Sequence, residues 1–258
     1  MEPILSTKDL SIQFGGHLAV NGVNATFPER RFTSVIGPNG AGKTTFFNLL
    51  SGQIKPTRGK IFFKGMDVTG LSSYKRTRMG IGRSFQITDV FPELTVLENV
   101  RLAVQAREKV YYRMFFYGRK YRQLEEKAVY WLKKVFLDQK QDFLARYLTH
   151  GEKRKLEIAM LLALETDILL LDEPTAGMSM EEVPVILDLI RRLKEEQERT
   201  IILIEHKMDM VLDLSDRVIV LMNGKMLADG TPEEILQNEL VQSAYLGGNR
   251  HDSRIGTD

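Results

Sequence analysis

The sequence predicts an α/β fold: a core on a mixed or parallel sheet, an N-terminal antiparallel β subdomain and an inserted α-helical subdomain. Three observations carry this. Phe32–Ile36 is a short β-branched strand that runs directly into Gly37-Pro-Asn-Gly-Ala-Gly-Lys-Thr-Thr45 and then into the helix start Thr45-Phe-Phe-Asn-Leu-Leu50. Strand, glycine-rich loop and helix is the order in which G-x-x-x-x-G-K-[ST] builds a phosphate cradle. Ile168–Asp172 and Thr200–Ile204 are apolar runs without alternation, as in parallel strands buried on both faces. Between the phosphate loop and the first of these runs, from residue 87 to 160, helical stretches and capping signatures replace the strand pattern.

Composition sets the bounds. The chain has 258 residues, of which 43% are hydrophobic, enough for one large α/β domain or a core with one insertion. A net charge of +2 does not argue for nucleic-acid or membrane-surface binding. There is no cysteine, hence no disulfide framework, thiolate metal site or cysteine nucleophile. Met1–Ser6 carries neither a basic region nor a long apolar stretch, so no signal peptide is expected. Ile168–Leu171 is far too short to span a bilayer, so any membrane role is expected to be peripheral and to run through a partner.

Taken in order, Ile4–Phe14, Val23–Phe27 and Phe32–Ile36 read as strands punctuated by Gly15-Gly16, Gly22 and Pro28. A helix over 44–51 stops at Gly52. Lys60–Lys64 is a strand followed by a turn at Gly65-Met66-Asp67, and Gly80–Gln86 is another strand. Thr95 and Glu98 form a capping box that opens a long helical stretch from Val96 to about Phe136, interrupted near Gly118. Thr149 and Glu152 form a second box for a helix to about Leu164. After the strand Ile168–Asp172, Ser179 is expected to cap a helix whose apolar face is Val183, Ile186, Leu189, Ile190 and Leu193. Thr200–Ile204 follows, then a hairpin of Arg217–Met222 and Lys225–Ala228 about Asn223-Gly224. Thr231 caps a helix with Pro232 in its first position. Gly247–Asp258 is polar and expected to be disordered.

The chemistry clusters at loop and strand ends. The loop glycines let backbone N–H groups turn toward phosphate oxygens, the helix N-terminus adds partial positive charge, and Lys43 adds a full one. The phosphate-binding set is Asn39, Gly40, Ala41, Gly42, Lys43, Thr44 and Thr45, with the Thr44 hydroxyl a ligand for Mg²⁺. Asp172 and Glu173 close an apolar strand at the carboxyl end, where open α/β sheets bind ligands. Asp172 is suited to holding Mg²⁺ and Glu173 to activating a water for in-line attack on a γ-phosphate. His206 ends the next apolar strand; it either orients that water or is simply a loop residue satisfied by its neighbours. Gln86 ends a strand where the helical insertion begins; it either touches Mg²⁺ and water or is a polar strand end.

In this order (the phosphate loop, Gln86, Leu148–Glu152, Ile168–Glu173, His206) the chain resembles the ATP-binding subunits of ABC transporters, over about Ile4–Leu246. The resemblance implies a P-loop NTPase core with ATP and Mg²⁺ as its ligands. It implies one ABC ATPase domain over 4–247, with 4–86 and 161–247 as the α/β core, 87–160 as the helical insertion with the signature segment, and 248–258 as a polar tail. It assigns Phe14, with Val20 nearby, to the adenine, Gln86 to a sensor role, and Thr149 and Gly151 to the γ-phosphate held by a second subunit. Two ATP molecules are then sandwiched between two such subunits. The chain departs from the family's Leu-Ser-Gly-Gly-Gln signature at His150 and Glu152. It also lacks the aspartate of the family's Ser-Ala-Leu-Asp loop, here Ala176-Gly-Met-Ser179. Glu and Gln both serve as the third residue of a capping box, so Glu152 is expected to face the backbone.

Within the family the chain resembles the ATPase subunits of branched-chain amino-acid importers and their urea or amide relatives. The carriers are Arg83–Gln86, Phe91–Asn99, Ala176–Met178, Leu203–His206, Ala244–Gly247 and the extended segment Arg107–Lys127. The implied partners are integral-membrane permease subunits, a homologous ATPase subunit (the same or different) and, indirectly, an external solute-binding protein. The implied location is peripheral, on the cytoplasmic face of the inner or plasma membrane. The alternatives are an ATPase of a lipopolysaccharide or lipid transport system and a soluble ATP-dependent dimerisation switch. The aromatic and basic run Tyr111–Tyr117 packs within the helical region, meets a membrane interface or nucleic acid, or helps dock the permease.

Overall fold

The computed structural model describes residues 2–84, 90–110 and 119–248. In chain order the strands are β1 (Leu5–Phe14), β2 (His17–Val23), β3 (Thr26–Phe27), β4 (Phe32–Ile36), β5 (Arg58–Phe63), β6 (Met66–Asp67), β7 (Ile81–Arg83), β8 (Ile168–Asp172), β9 (Thr200–Ile204), β10 (Arg217–Met222) and β11 (Lys225–Gly230). The helices are α1 (Lys43–Ser51), α2 (Ser73–Met79), α3 (Val96–Arg107), α4 (Arg119–Lys134), α5 (His150–Ala163), α6 (Val183–Glu195), α7 (Met208–Leu214), α8 (Pro232–Gln237) and α9 (Glu239–Gly248). The chain divides into two compact units, one of residues 1–76 with 196–258, the other of 77–195.

In the first unit an antiparallel sheet runs in the order β2-β1-β5-β6, with β3 also on β1. Its hairpins are tight. Phe14 pairs with His17 across Gly15-Gly16, and Phe62-Phe63 pair with Met66-Asp67. The other strands run in the order β11-β10-β4-β9, with β10, β4 and β9 parallel. All five residues of β4 and of β9 are buried, as the unbroken apolar runs require. The β10–β11 turn has Asn223 at φ 50° and Gly224 at φ 74°, both in the left-handed region that a two-residue hairpin turn demands. A cluster of Ile36, Val211, Val218, Val220, Ile235 and Val241 closes one core. Each such fully buried aliphatic side chain contributes about 1.5–3 kcal/mol relative to exposure. Arg76 is buried too. It donates to Leu49 O and Leu50 O at 2.6 and 2.8 Å and to Thr69 O and Leu71 O at 3.0 and 3.2 Å, so it satisfies the last carbonyls of α1. Burial lowers its pKa to about 10.

In the second unit β7 and β8 pair in parallel, Ile81 with Ile168 and Arg83 with Leu170. Helices α3, α4 and α5 lie in the stretch read as helical, and α6 buries Ile186, Leu189, Ile190 and Leu193, while Val183 is half-buried. Of the four helix caps expected, those at Thr95/Glu98, Thr149/Glu152 and Thr231/Glu234 are present as capping boxes.

Several local expectations are corrected. The second strand runs over His17–Val23 rather than Val23–Phe27, because Gly15-Gly16 makes a complete hairpin turn and sends the chain straight back along β1. Met66-Asp67 is a short strand rather than part of a turn; Lys64-Gly65, both at positive φ, make the turn. The strand Gly80–Gln86 spans Ile81–Arg83 among the described residues, and Gln86 lies outside them. The helix from Val96 ends at Arg107, and a second begins at Arg119. Tyr111–Tyr117 lies outside the described residues. Ser179 does not cap α6. Its N–H and hydroxyl both donate to the Glu182 carboxylate, at 3.3 and 3.4 Å, and the helix starts at Val183 with Pro184 in its first turn, where proline costs no hydrogen bond. Gly247 is helical, within α9.

Candidate functional site

The first unit carries the phosphate loop between β4 and α1. Two of its glycines are forced by close approach. A Cβ on Gly37 would stand 2.1 Å from the carbonyl of Leu221, and one on Gly42, at φ 96°, would stand 2.3 Å from the carbonyl of Ala19. The β10–β11 turn braces the same loop, because Gly224 N donates to Ala41 O at 3.0 Å while Asn21 N donates to Gly224 O at 2.8 Å. Ala19, Asn21 and Gly224 are therefore loop supports that the motif does not reveal. Helix α1 has no side-chain N-cap and no acid in its first turn, so its leading N–H groups are kept for an anion. Lys43 is buried at the head of α1, and its ammonium donates to Gly37 O and Pro38 O at 2.7 and 3.0 Å. The loop itself thus holds the positive charge in place. Thr44 and Thr45 are half-buried in the same turn, Ala41 is buried, and Asn39 and Gly40 are exposed on the rim. Phe14 ends β1 with its ring half exposed, while Val20 is fully buried in β2. His206 follows β9 and is exposed; its backbone N–H donates to the buried carboxylate of Glu205 at 2.9 Å.

The second unit carries the acids. Asp172 ends β8 with its side chain fully buried, and its Oδ2 accepts from Arg83 Nη2 at 2.8 Å. Its N–H donates to the Ser84 hydroxyl at 3.3 Å. Burial raises the pKa of Asp172, and Arg83 opposes that shift. Oδ1 is buried with no hydrogen-bond partner among the described residues. An orphaned carboxylate oxygen at a strand's carboxyl end fits a cation or one of its waters. No group of three or more metal-ligating acids or imidazoles occurs among the described residues. Glu173 is half-buried and held at φ 44°, a left-handed conformation that a non-glycine side chain seldom takes. Its carbonyl accepts from Ala176 N at 3.0 Å.

The signature segment opens α5. Thr149 Oγ1 accepts from Glu152 N at 3.3 Å, and Glu152 Oε2 accepts from Thr149 N at 3.1 Å, so Glu152 faces the backbone. Burial works against its charge, but Lys140, whose ammonium lies 2.5 Å from Oε1, and the Thr149 N–H hold the carboxyl below the ordinary range. The His150 ring nitrogen Nε2 lies 3.2 Å from Ala176 O, which accepts from it, and Gly151 N donates to Glu182 Oε1 at 3.0 Å. A Cβ on Gly151 would reach 2.9 Å from that oxygen, so a larger residue there would push the Glu182 side chain aside. The two departures from the usual signature thus have local partners. His150 bonds the Ala176 loop and Glu152 completes a cap. The second unit brings together Thr149, Gly151, Asp172 and Glu173; the phosphate loop and His206 belong to the first.

Known proteins share this organisation. The ABC transporter family matches residues 20–176, and the family described as branched-chain amino acid ATP-binding cassette transporter matches residues 225–251. The high-affinity branched-chain amino acid transport ATP-binding protein BraF of Pseudomonas aeruginosa is 41% identical, over 95% of this chain and 98% of its own. Its counterpart LivG of Escherichia coli is 40% identical, over 95% and 98%. The lipopolysaccharide export system ATP-binding protein LptB of Haemophilus influenzae is 32% identical, over 95% and 97%. Among solved structures, an ATP-binding cassette of an ABC transporter in its ADP conformation superposes with a TM-score of 0.82 at 29% identity, covering 96% of this chain and all of that one. A dimeric cassette in a post-hydrolysis state, bound to ADP and phosphate, superposes with a TM-score of 0.74 at 26% identity, covering 88% of this chain and 98% of that one.

Proposed function

The chain belongs to the ABC transporter family of ATP-binding cassettes, and on that premise we propose that it binds Mg-ATP and hydrolyses it to power import of branched-chain amino acids or related amides. The observation that carries the solute class is the match at residues 225–251 to the family described as branched-chain amino acid ATP-binding cassette transporter, in a part of the chain beyond the general cassette match. The higher identity to BraF and LivG than to LptB supports the same reading over a lipopolysaccharide system.

The roles follow from the chemistry. Phe14, beside Val20, offers an exposed ring to the adenine. The N–H groups of residues 39–45 and the Lys43 ammonium hold the β- and γ-phosphates. Thr44, Asp172 through its orphaned Oδ1, and Gln86 are the residues that would hold Mg²⁺. When bound, that ion supplies charge neutralisation on the phosphate oxygens. Glu173 accepts a proton from water as the water oxygen bonds to the γ-phosphorus. The bond from that phosphorus to the bridging oxygen breaks, and ADP leaves with its electron pair. His206 orients the water and the γ-phosphate. Thr149 and Gly151 meet the γ-phosphate held by a second subunit. The permease subunits are the membrane partners. No helix among the described residues is long and apolar enough to cross a membrane.

The test is uptake of labelled leucine by cells whose only copy carries Glu173→Gln, with lipopolysaccharide export followed in parallel. Uptake should fall to background while export persists. The purified variant should bind ATP as the parent does, with turnover lower by about 10²–10⁴, the usual contribution of a general base. Normal leucine uptake overturns the solute class, and normal turnover overturns the assignment of Glu173.

A further inference from the structure

We propose that Arg154 is a positioning residue for hydrolysis: from α5 it fixes the backbone that carries Glu173, so that the signature helix and the base are held as one piece. The proposal rests on the reading of Glu173 as the base. One guanidinium takes three consecutive carbonyls of the strand end. Nη2 donates to Asp172 O at 2.9 Å and to Glu173 O at 3.1 Å, and Nε donates to Pro174 O at 3.1 Å. Nη1 is bound by Glu157 one turn along the same helix, at 2.6 Å. Both side chains are more than nine-tenths buried.

This arrangement has a mechanical meaning. Beyond β8 the chain leaves the ladder, and Glu173 adopts a left-handed conformation at φ 44°. A non-glycine residue keeps such a conformation only where its surroundings over-determine it. Arg154 supplies that constraint, with carbonyl contacts before, at and after the strained residue. Its planar fork does what a lysine ammonium cannot, because several donors are fixed in one plane. Glu157 pairs with it locally, and its positive charge is also felt at Asp172, where it opposes the effect of burial; the three carbonyl contacts are the direct link to Glu173. Arg154 lies three residues beyond Gly151, on the helix whose first turn also bonds the following loop through His150 and Ala176 O. A displacement of the α5 N-terminus is therefore passed to the peptide that aims the Glu173 carboxylate. Misplacing a reacting group by about 1 Å costs on the order of 10²-fold in rate.

The experiment compares Arg154→Lys, the double variant Arg154→Met/Glu157→Leu and Glu173→Gln in the full chain, by kcat, KM for ATP, nucleotide affinity and thermal midpoint. The double variant leaves neither member of the Arg154–Glu157 pair as an uncompensated charge, although the carbonyls of residues 172–174 lose their donor. Expected is a fall in kcat of about 10–100-fold in both arginine variants, with KM and nucleotide affinity close to the parent's, a lowered midpoint in the double variant with the chain still folded at the assay temperature, and no rescue by lysine. A lowered midpoint with parental kcat means a purely structural role and overturns the proposal. So does full rescue of kcat by lysine. Parental kcat in the double variant alongside an inactive Glu173→Gln overturns the positioning role alone, whereas an active Glu173→Gln overturns the assignment of the base and this proposal with it.

Discussion

Arg83 and Asp172 are a buried ion pair at 2.8 Å, with side chains 7% and 0% exposed, and they set what a single residue costs here. Removing one member of such a pair leaves an uncompensated charge, which costs about 3–5 kcal/mol. Arg83→Met should therefore lower stability by that order in urea denaturation, and adding Asp172→Asn should recover most of the loss. The penalty should also depend on pH. Burial already raises the Asp172 pKa, and Arg83 is what opposes it, so the variant's carboxyl should titrate higher still. A raised acid pKa means that the folded state holds its proton more tightly than the unfolded chain. The penalty is then full above that pKa and shrinks as pH falls through it, once the carboxyl is neutral. A pH-independent gap between the parent and Arg83→Met would show that the lost packing, not the charge, dominates. Residues of this kind were the least legible in the sequence. Lys43, Asp172 and Glu173 stand at fixed places beside strands and glycines, so their spacing speaks for them. Arg76, Arg83 and Arg154 are three among 36 basic residues. Their partners are carbonyls or a carboxylate brought close only by folding, and no local pattern distinguishes them from surface arginines.

Elements were legible where their signal is local. The three Thr-x-x-Glu boxes could be read because the cap and its reciprocal partner lie within one turn. Buried strands β4, β8 and β9 could be read because both faces are apolar. The failures share a cause as well. Strand β2 carries no clean alternation and is defined by pairing with β1, while α2 and α7 have seven residues each, too few for periodicity to emerge. The turn around Glu182 was misread as a cap because Ser179 and Glu182 have the right spacing, while the carboxylate finds a better donor in Gly151 N, which is remote in sequence. The second box yields a prediction at this scale. Thr149→Ala removes the oxygen that accepts the Glu152 N–H and should cost about 1 kcal/mol. Glu152→Gln keeps a cap and loses only the partly exposed pair with Lys140, worth about 0–1 kcal/mol, so both stability and turnover should stay near the parent's. Urea midpoints and steady-state turnover measure both. A large drop in turnover for Glu152→Gln at unchanged stability would place its carboxylate at the nucleotide instead of at the helix end.

For the whole molecule, the proposed function predicts a head-to-tail assembly of two copies, in which the phosphate loop of one faces the signature segment of the other. If the loop of one copy meets the signature of another, the same contact recurs with the copies exchanged, and a closed two-fold dimer results with both ATP sites completed. The features such a contact needs are present in this chain. Asn39 and Gly40 stand exposed on the loop rim, as do Thr149 and His150 at the head of α5, and the Glu152 carboxylate faces the backbone. Hydrolysis would separate the copies, so the variant to use is Glu173→Gln, which should bind ATP and stall. By size exclusion it should run as a monomer without nucleotide and as a dimer with Mg-ATP. The dimer should also be lost when Lys43→Ala is added, because the charge on the phosphates is then missing. A monomer that persists with ATP demonstrably bound would mean that two copies of this chain do not suffice. His150 and Ser179, where the chain departs from its family, would then mark where a non-identical ATPase subunit supplies the other half of each site.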